Sequence, residues 1–203
     1  MACRLGSPSR GKVVFVKTIL VVVFVTLLCF APPSRGAATL PTLHWTFDGG
    51  PDGWRVIFGP GQTRITVARE HVKVGAGALE SMYEITPRTY FAVAREVSLS
   101  EQPSVTLSFW IKSQQATHLG VFLTERDDSG YGYRLELPVG QWKRVALNSK
   151  QFLLDTSNAA NKDENGRLDV GQIGWITIVD FAGLFSREKA KGSFYLDDFR
   201  LGP

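Results

Sequence analysis

Apolar and polar residues alternate along most of this chain with a period of two. From Ser104 to Lys112, Val105, Leu107, Phe109 and Ile111 fall on one side, and Thr106, Ser108, Trp110 and Lys112 on the other. Successive side chains of an extended strand point to opposite faces, so this pattern predicts a half-buried β-strand. Leu119, Val121 and Leu123 alternate in the same way with Gly120, Phe122 and Thr124, and Tyr133, Leu135 and Leu137 with Gly132, Arg134 and Glu136. Further strands are predicted at 44–48, 54–58, 64–69, 78–85, 90–97, 142–147, 175–181 and 193–201, about eleven in all. Between them lie turn-forming runs such as Gly49-Gly50-Pro51-Asp52-Gly53, Gly59-Pro60-Gly61, Asp127-Asp128-Ser129-Gly130 and Asn165-Gly166. No window carries a convincing helical spacing. Many short strands with such turns, and no internal repeat or linker, predict one all-β domain: a two-sheet antiparallel β-sandwich of the jelly-roll kind.

The N-terminal segment breaks the pattern. Arg4, Arg10, Lys12 and Lys17 precede an apolar run from Thr18 to Ala31, and small residues follow through Ala38. This order reads as a secretory signal peptide over 1–38, cut after Gly36 or Ala38. An uncleaved anchor is the alternative, because Val13–Val16 extend the run across Lys17. The leader changes the charge picture. Residues 39–203 hold 18 Lys and Arg against 19 Asp and Glu, a net of −1 where the whole chain has +4. The basic balance therefore belongs to the leader and gives no support to nucleic-acid binding. Both cysteines, Cys3 and Cys29, also fall there, leaving residues 39–203 without a disulfide, a thiol nucleophile or a cysteine metal site. The expected location is secreted, periplasmic or at the cell envelope.

Enzyme signatures are missing. There is no G-x-S-x-G and no H-E-x-x-H, and His44, His71 and His118 are scattered without metal-ligand spacing. Alternation places Glu125 and Asp127 on one strand face, but a third acid three residues on would fall at Gly130; surface charge at a strand end is the expected account. Asn161–Asp169 resembles the front of a calcium loop, yet begins with Asn and reaches Gln172 at the twelfth position, so a solvated loop is the better reading.

Several segments, taken in order, resemble family 11 carbohydrate-binding modules of the galactose-binding-like jelly-roll superfamily. They are Trp45-Thr-Phe-Asp48-Gly with Gly53-Trp54, Gly75-Ala-Gly-Ala-Leu-Glu-Ser-Met-Tyr83, Leu107-Ser-Phe-Trp110-Ile-Lys-Ser113, Trp142-Lys143, Gln151-Phe152, Gly166-Arg-Leu-Asp169, and the closing Phe194-Tyr-Leu-Asp197-Asp198-Phe-Arg-Leu201. The resemblance implies a concave sheet face that lays aromatic rings along a polysaccharide such as a β-glucan, without catalysis. It also implies a structural calcium ion, with Asp48 and Asp197 contributing ligands and carbonyls of the Lys73–Gly75 turn supplying others. Tyr83 matches a position of the family's aromatic platform; Arg134 and Asp180 fall where other platform tyrosines are expected, and a further one lands near Ile57–Phe58. By strand parity Trp110, Phe122, Arg134 and Glu136 all point away from the core, so with Tyr83 they form the expected binding face. Rings cover the C–H patch of a sugar while charged and polar groups take its hydroxyls. Such a module would work alone or with an exported enzyme or cell-envelope protein, and membrane contact enters only with an uncleaved leader; the alternative is an exported structural or protein-interaction domain whose sugar site has degenerated.

Overall fold

Every predicted strand exists. The computed structural model describes residues 42–115, 117–157 and 163–203, and the expected leader lies outside them. The strands are β1 (Leu43–Trp45), β2 (Arg55–Phe58), β3 (Gly61–Thr66), β4 (Ala78–Ile85), β5 (Phe91–Glu96), β6 (Thr106–Ser113), β7 (Leu119–Glu125), β8 (Gly130–Arg134), β9 (Lys143–Asn148), β10 (Leu153–Leu154), β11 (Ile173–Asp180) and β12 (Ala190–Gly202). β10, two residues long, is the one strand that the alternation missed. A single helical turn, α1 (Ala182–Phe185), follows β11.

The strands form two antiparallel sheets. The first has the order β3-β4-β12-β6-β9, with β1 also on β12; the second has the order β10-β8-β7-β11-β5-β2. Their inner faces meet in one core built by the alternation: Leu107, Phe109 and Ile111 from β6, Leu119, Val121 and Leu123 from β7, Ile176 and Ile178 from β11. Such a sandwich core is the expected outcome for sheets each apolar on one side. At one end Trp45, Trp54 and Phe109 gather on Phe199, with Phe109 stacked on it at 4.7 Å. At the other end Tyr83 stacks on Phe91 at 4.2 Å and leans on Phe194.

β12 changes parity partway along. Phe194 and Leu196 face the core, and so do Phe199 and Leu201, which plain alternation would send outward. The register against β6 shifts between Asp197 and Arg200, and Asp198 takes φ 47°. One bulged residue thus turns the second half of the strand over. Asp is among the few non-glycine residues that tolerate this left-handed conformation. Neither acid enters the core. Asp197 lies fully buried beneath the turn at 73–77, and Asp198 pairs outside with His44 at 2.7 Å and Arg200 at 2.9 Å.

Candidate functional site

The outer faces of the two sheets differ in kind. That of the first sheet is half covered by the segment from Val67 to Gly77. His71 stacks on Tyr195 at 4.2 Å, and the Lys112 ammonium donates to the Glu70 carbonyl at 2.6 Å. Trp110 belongs to this face, cross-strand from Asp197 and Arg144, with the Lys73 ammonium 4.5 Å from its ring centroid. Phe122 and Arg134 belong to the second sheet. The expected grouping of Trp110 with them is therefore corrected: parity put all three outside, but β6 and β7 join opposite sheets.

Tyr83 is also corrected as a platform residue. It faces inward with 6 % exposure, and its hydroxyl donates to the Asp180 carboxylate on the other sheet. Burial beside that carboxylate pushes the phenol far above its ordinary value. The pair joins the two sheets rather than facing a ligand. Asp180 further accepts the Ala182 N–H at 2.7 Å, anchoring α1. Glu136 is exposed beyond the end of β8, where its carbonyl accepts from the Lys143 ammonium at 2.6 Å. It lines a separate hollow between β8 and β9.

On the second sheet the outward positions form a floor of small residues beneath aromatic rings. Ala92 and Ala94 of β5, Thr177 and Val179 of β11, Gly120 of β7 and Gly132 of β8 supply the floor. A Cβ on Gly132 would come within 2.6 Å of the Phe122 ring, and one on Gly120 within 3.0 Å of it. Phe122 therefore lies across both neighbours, a placement that only glycine there permits. From Phe122 the rings continue to Phe181 (5.7 Å), Tyr90 (6.1 Å) and Phe58, which stacks on Tyr90 at 4.2 Å. Phe58 and Tyr90 are 44 % and 37 % exposed. The strip reaches from β2 to β7, three inter-strand spacings or about 14 Å. Tyr90 and Phe181 are the end residues of the strands predicted at 90–97 and 175–181, and the sequence reading did not single them out as binding residues.

Beyond Phe122 the strip opens into a groove of about 430 Å³ with Phe181, Phe185 and Leu153 on its walls. Arg134 stands at its margin and donates to His118 Nδ1 at 2.9 Å. A guanidinium has no acceptor, so that ring nitrogen carries no proton. His118 in turn packs on Phe185 at 4.6 Å. Asp155 also borders the groove and accepts from the N–H and hydroxyl of Ser157 at 2.9 and 2.6 Å.

The expected calcium position fails on its donors. Asp48 and Asp197 do converge on one turn, as the resemblance implied. That turn, however, offers them N–H groups: Ala76 (2.6 Å) and Gly77 (3.1 Å) donate to Asp48, and Lys73 (2.7 Å) and Val74 (2.8 Å) to Asp197. Asp198 N–H adds a third donor to Asp197 at 2.7 Å. Calcium takes six to eight oxygens, whereas this set fits N–H capping. The Ala76 N–H leads in holding the Asp48 carboxyl below its usual value, while burial pushes that of Asp197 up against its three donors.

Glu125 is likewise not surface charge. It faces inward at 3 % exposure and accepts the Asp169 N–H, while Asp127 caps its own turn through Ser129 N–H at 2.9 Å. The two acids do not share a face. Asp163, from the loop read as solvated, accepts from the Tyr131 hydroxyl.

No family model matches the chain, and no curated protein does. Solved structures do. The family 11 carbohydrate-binding module of the cellulosomal cellulase Lic26A-Cel5E of Clostridium thermocellum superposes with TM-score 0.54 at 17% identity, covering 84% of this chain and 91% of that one. The Clostridium thermocellum family 11 module in complex with a β-1,3-1,4-mixed-linked tetrasaccharide gives 0.53 at 16% identity, over 83% and 91%. The CBM22-1 xylan-binding domain of Paenibacillus barcinonensis Xyn10C gives 0.54 at 12% identity, over 82% and 97%. The chain thus has the jelly-roll fold of carbohydrate-binding modules. The resemblance to family 11 holds at the level of fold.

Proposed function

We propose that this protein binds an extended polysaccharide, without catalysis, along the aromatic strip on the outer face of its second sheet. The observation that carries this reading is the strip itself: Phe58, Tyr90, Phe181 and Phe122 joined ring to ring above a floor of glycine, alanine, threonine and valine. Pyranose rings stack on such faces through their C–H patches. The mixed-linkage glucan and xylan named for similar structures are ligands of the same extended kind. The disposition of the carboxylates supports the non-catalytic part of this reading. Asp155, at the groove, is held in its own turn, and Glu125 and Asp127 do not face each other across a cleft. The reading of 1–38 as a secretory leader supports binding outside the cytoplasm.

Affinity electrophoresis in gels containing mixed-linkage β-glucan, xylan, galactan and pectin tests the reading. Retardation by at least one polymer is expected, with Phe122→Ala weakening it about tenfold, a loss near 1.4 kcal/mol. Trp110→Ala, on the opposite sheet, leaves it unchanged. A folded protein that no polymer retards would end this reading in favour of a protein partner, for which exposed Leu153, Leu184 and Phe185 around the groove are the motive.

A further inference from the structure

We infer that the polysaccharide is an acidic one, and that Arg134 receives a sugar carboxylate at the Phe122 end of the strip. The inference rests on the reading just given and specifies its ligand class. Arg134 is exposed, and among the described residues no carboxylate pairs with it; its hydrogen bond is to the unprotonated nitrogen of His118. Asp155 borders the same groove but is turned to Ser157. The cation is thus placed, not neutralised. His118, wedged against Phe185, holds one edge of the guanidinium and leaves its other N–H donors unassigned. A planar fork of donors beside an apolar ring suits a carboxylate set on a pyranose: the ring lies on Phe122 and the acid meets the fork in a bidentate pair.

A second arginine strengthens the argument. Arg55 of β2 projects from the same sheet face, spread over Trp175 at 4.9 Å and also without a carboxylate partner among the described residues. Arg55 and Arg134 stand four strands apart, about 19 Å. A chain with acids at intervals would meet a cation at each end of its path. A neutral glucan would offer the two arginines hydroxyls but no charge to pair with.

The test compares one polymer in two charge states, polygalacturonate and its methyl ester, by isothermal titration of the full protein at fixed ionic strength. Binding at least tenfold tighter to the acid is expected. Arg134→Ala should remove most of the acid's advantage over the ester, leaving the share that Arg55 supplies, and Arg134→Lys should recover only part, since an ammonium lacks the fork. Phe122→Ala should weaken the acid and the ester alike, which general charge attraction would not do. Equal affinity for both forms, or an unchanged Arg134→Ala, overturns the inference. In that event retention of a neutral glucan or xylan that depends on Phe122 would leave the parent reading standing. Silence toward every polymer by folded protein would remove both.

Discussion

Glu125 closes β7 on the inward side and sits among acids. Burial, then the nearby charges of Asp163, Asp169 and Asp127, push its carboxyl up to about 7, against the pull of the Asp169 N–H. Its folded value lies above the ordinary carboxylate range, so protonation favours the folded state. The stabilisation is complete below the unfolded value near 4.5 and fades as pH rises through about 7. The melting temperature should therefore fall between pH 5 and 8 by an amount that Glu125→Gln abolishes, because an amide still accepts the Asp169 N–H and carries no charge. Calorimetry across that range checks it; parallel profiles for the two proteins would discard Glu125 as the source. Tyr83 gives a second residue-scale expectation. Tyr83→Phe removes the hydroxyl that bridges the sheets and leaves Asp180 with the Ala182 N–H. A loss of about 1–3 kcal/mol in denaturant unfolding is expected, the ordinary result of orphaning a buried polar group.

At the scale of elements, the bulge in β12 and the turn at 73–77 form one device. The bulge keeps Asp197 on the outer side while Phe199 and Leu201 return to the core, and the turn then closes over Asp197 with its N–H groups. Gly75, at φ 72°, completes that turn where a Cβ would meet the Asp48 carboxylate at 2.5 Å. The carboxylates anchor backbone donors, and from that donor set we expect no stabilisation by calcium. The melting temperature should be equal in calcium and in chelator, whereas Asp197→Ala should lower it in both by several degrees. A calcium-dependent rise that Asp197→Ala abolishes would restore a metal to this turn.

For the whole molecule, period-two alternation made the strands and their core faces readable. Leu107, Phe109 and Ile111, or Leu119, Val121 and Leu123, point inward as their spacing required. Parity says on which side of a strand a residue stands; it carries no information about which sheet the strand enters. Between Ser113 and Leu119 the chain passes from the first sheet to the second, and with that passage Trp110 and Phe122 part company. Of the proposed strip and its margin, the alternation marked Phe122 and Arg134, which share the outer face of one sheet, and the resemblance pointed to Ile57–Phe58. Phe58, Tyr90 and Phe181 are joined by pairings between strands distant in sequence, β2 with β5 and β5 with β11. Asp197 and Asp198 were legible as an anomaly in an apolar strand, but the left-handed residue that resolves it has no mark in a pattern of apolar and polar letters.

The make-up of the strip has a practical side for anyone following ligand uptake by light. Its rings come from phenylalanine and tyrosine. Trp45 and Trp54 are sealed in the core, and Trp110 and Trp142 look out from the opposite sheet, the latter near Tyr195. Trp175 shares the face but stands two residues along β11 from the row that holds Phe122, under Arg55. A glycan confined to Phe122 and Phe181 would leave the indoles untouched, so tryptophan light would report only a chain long enough to reach Arg55, through Trp175 beneath it.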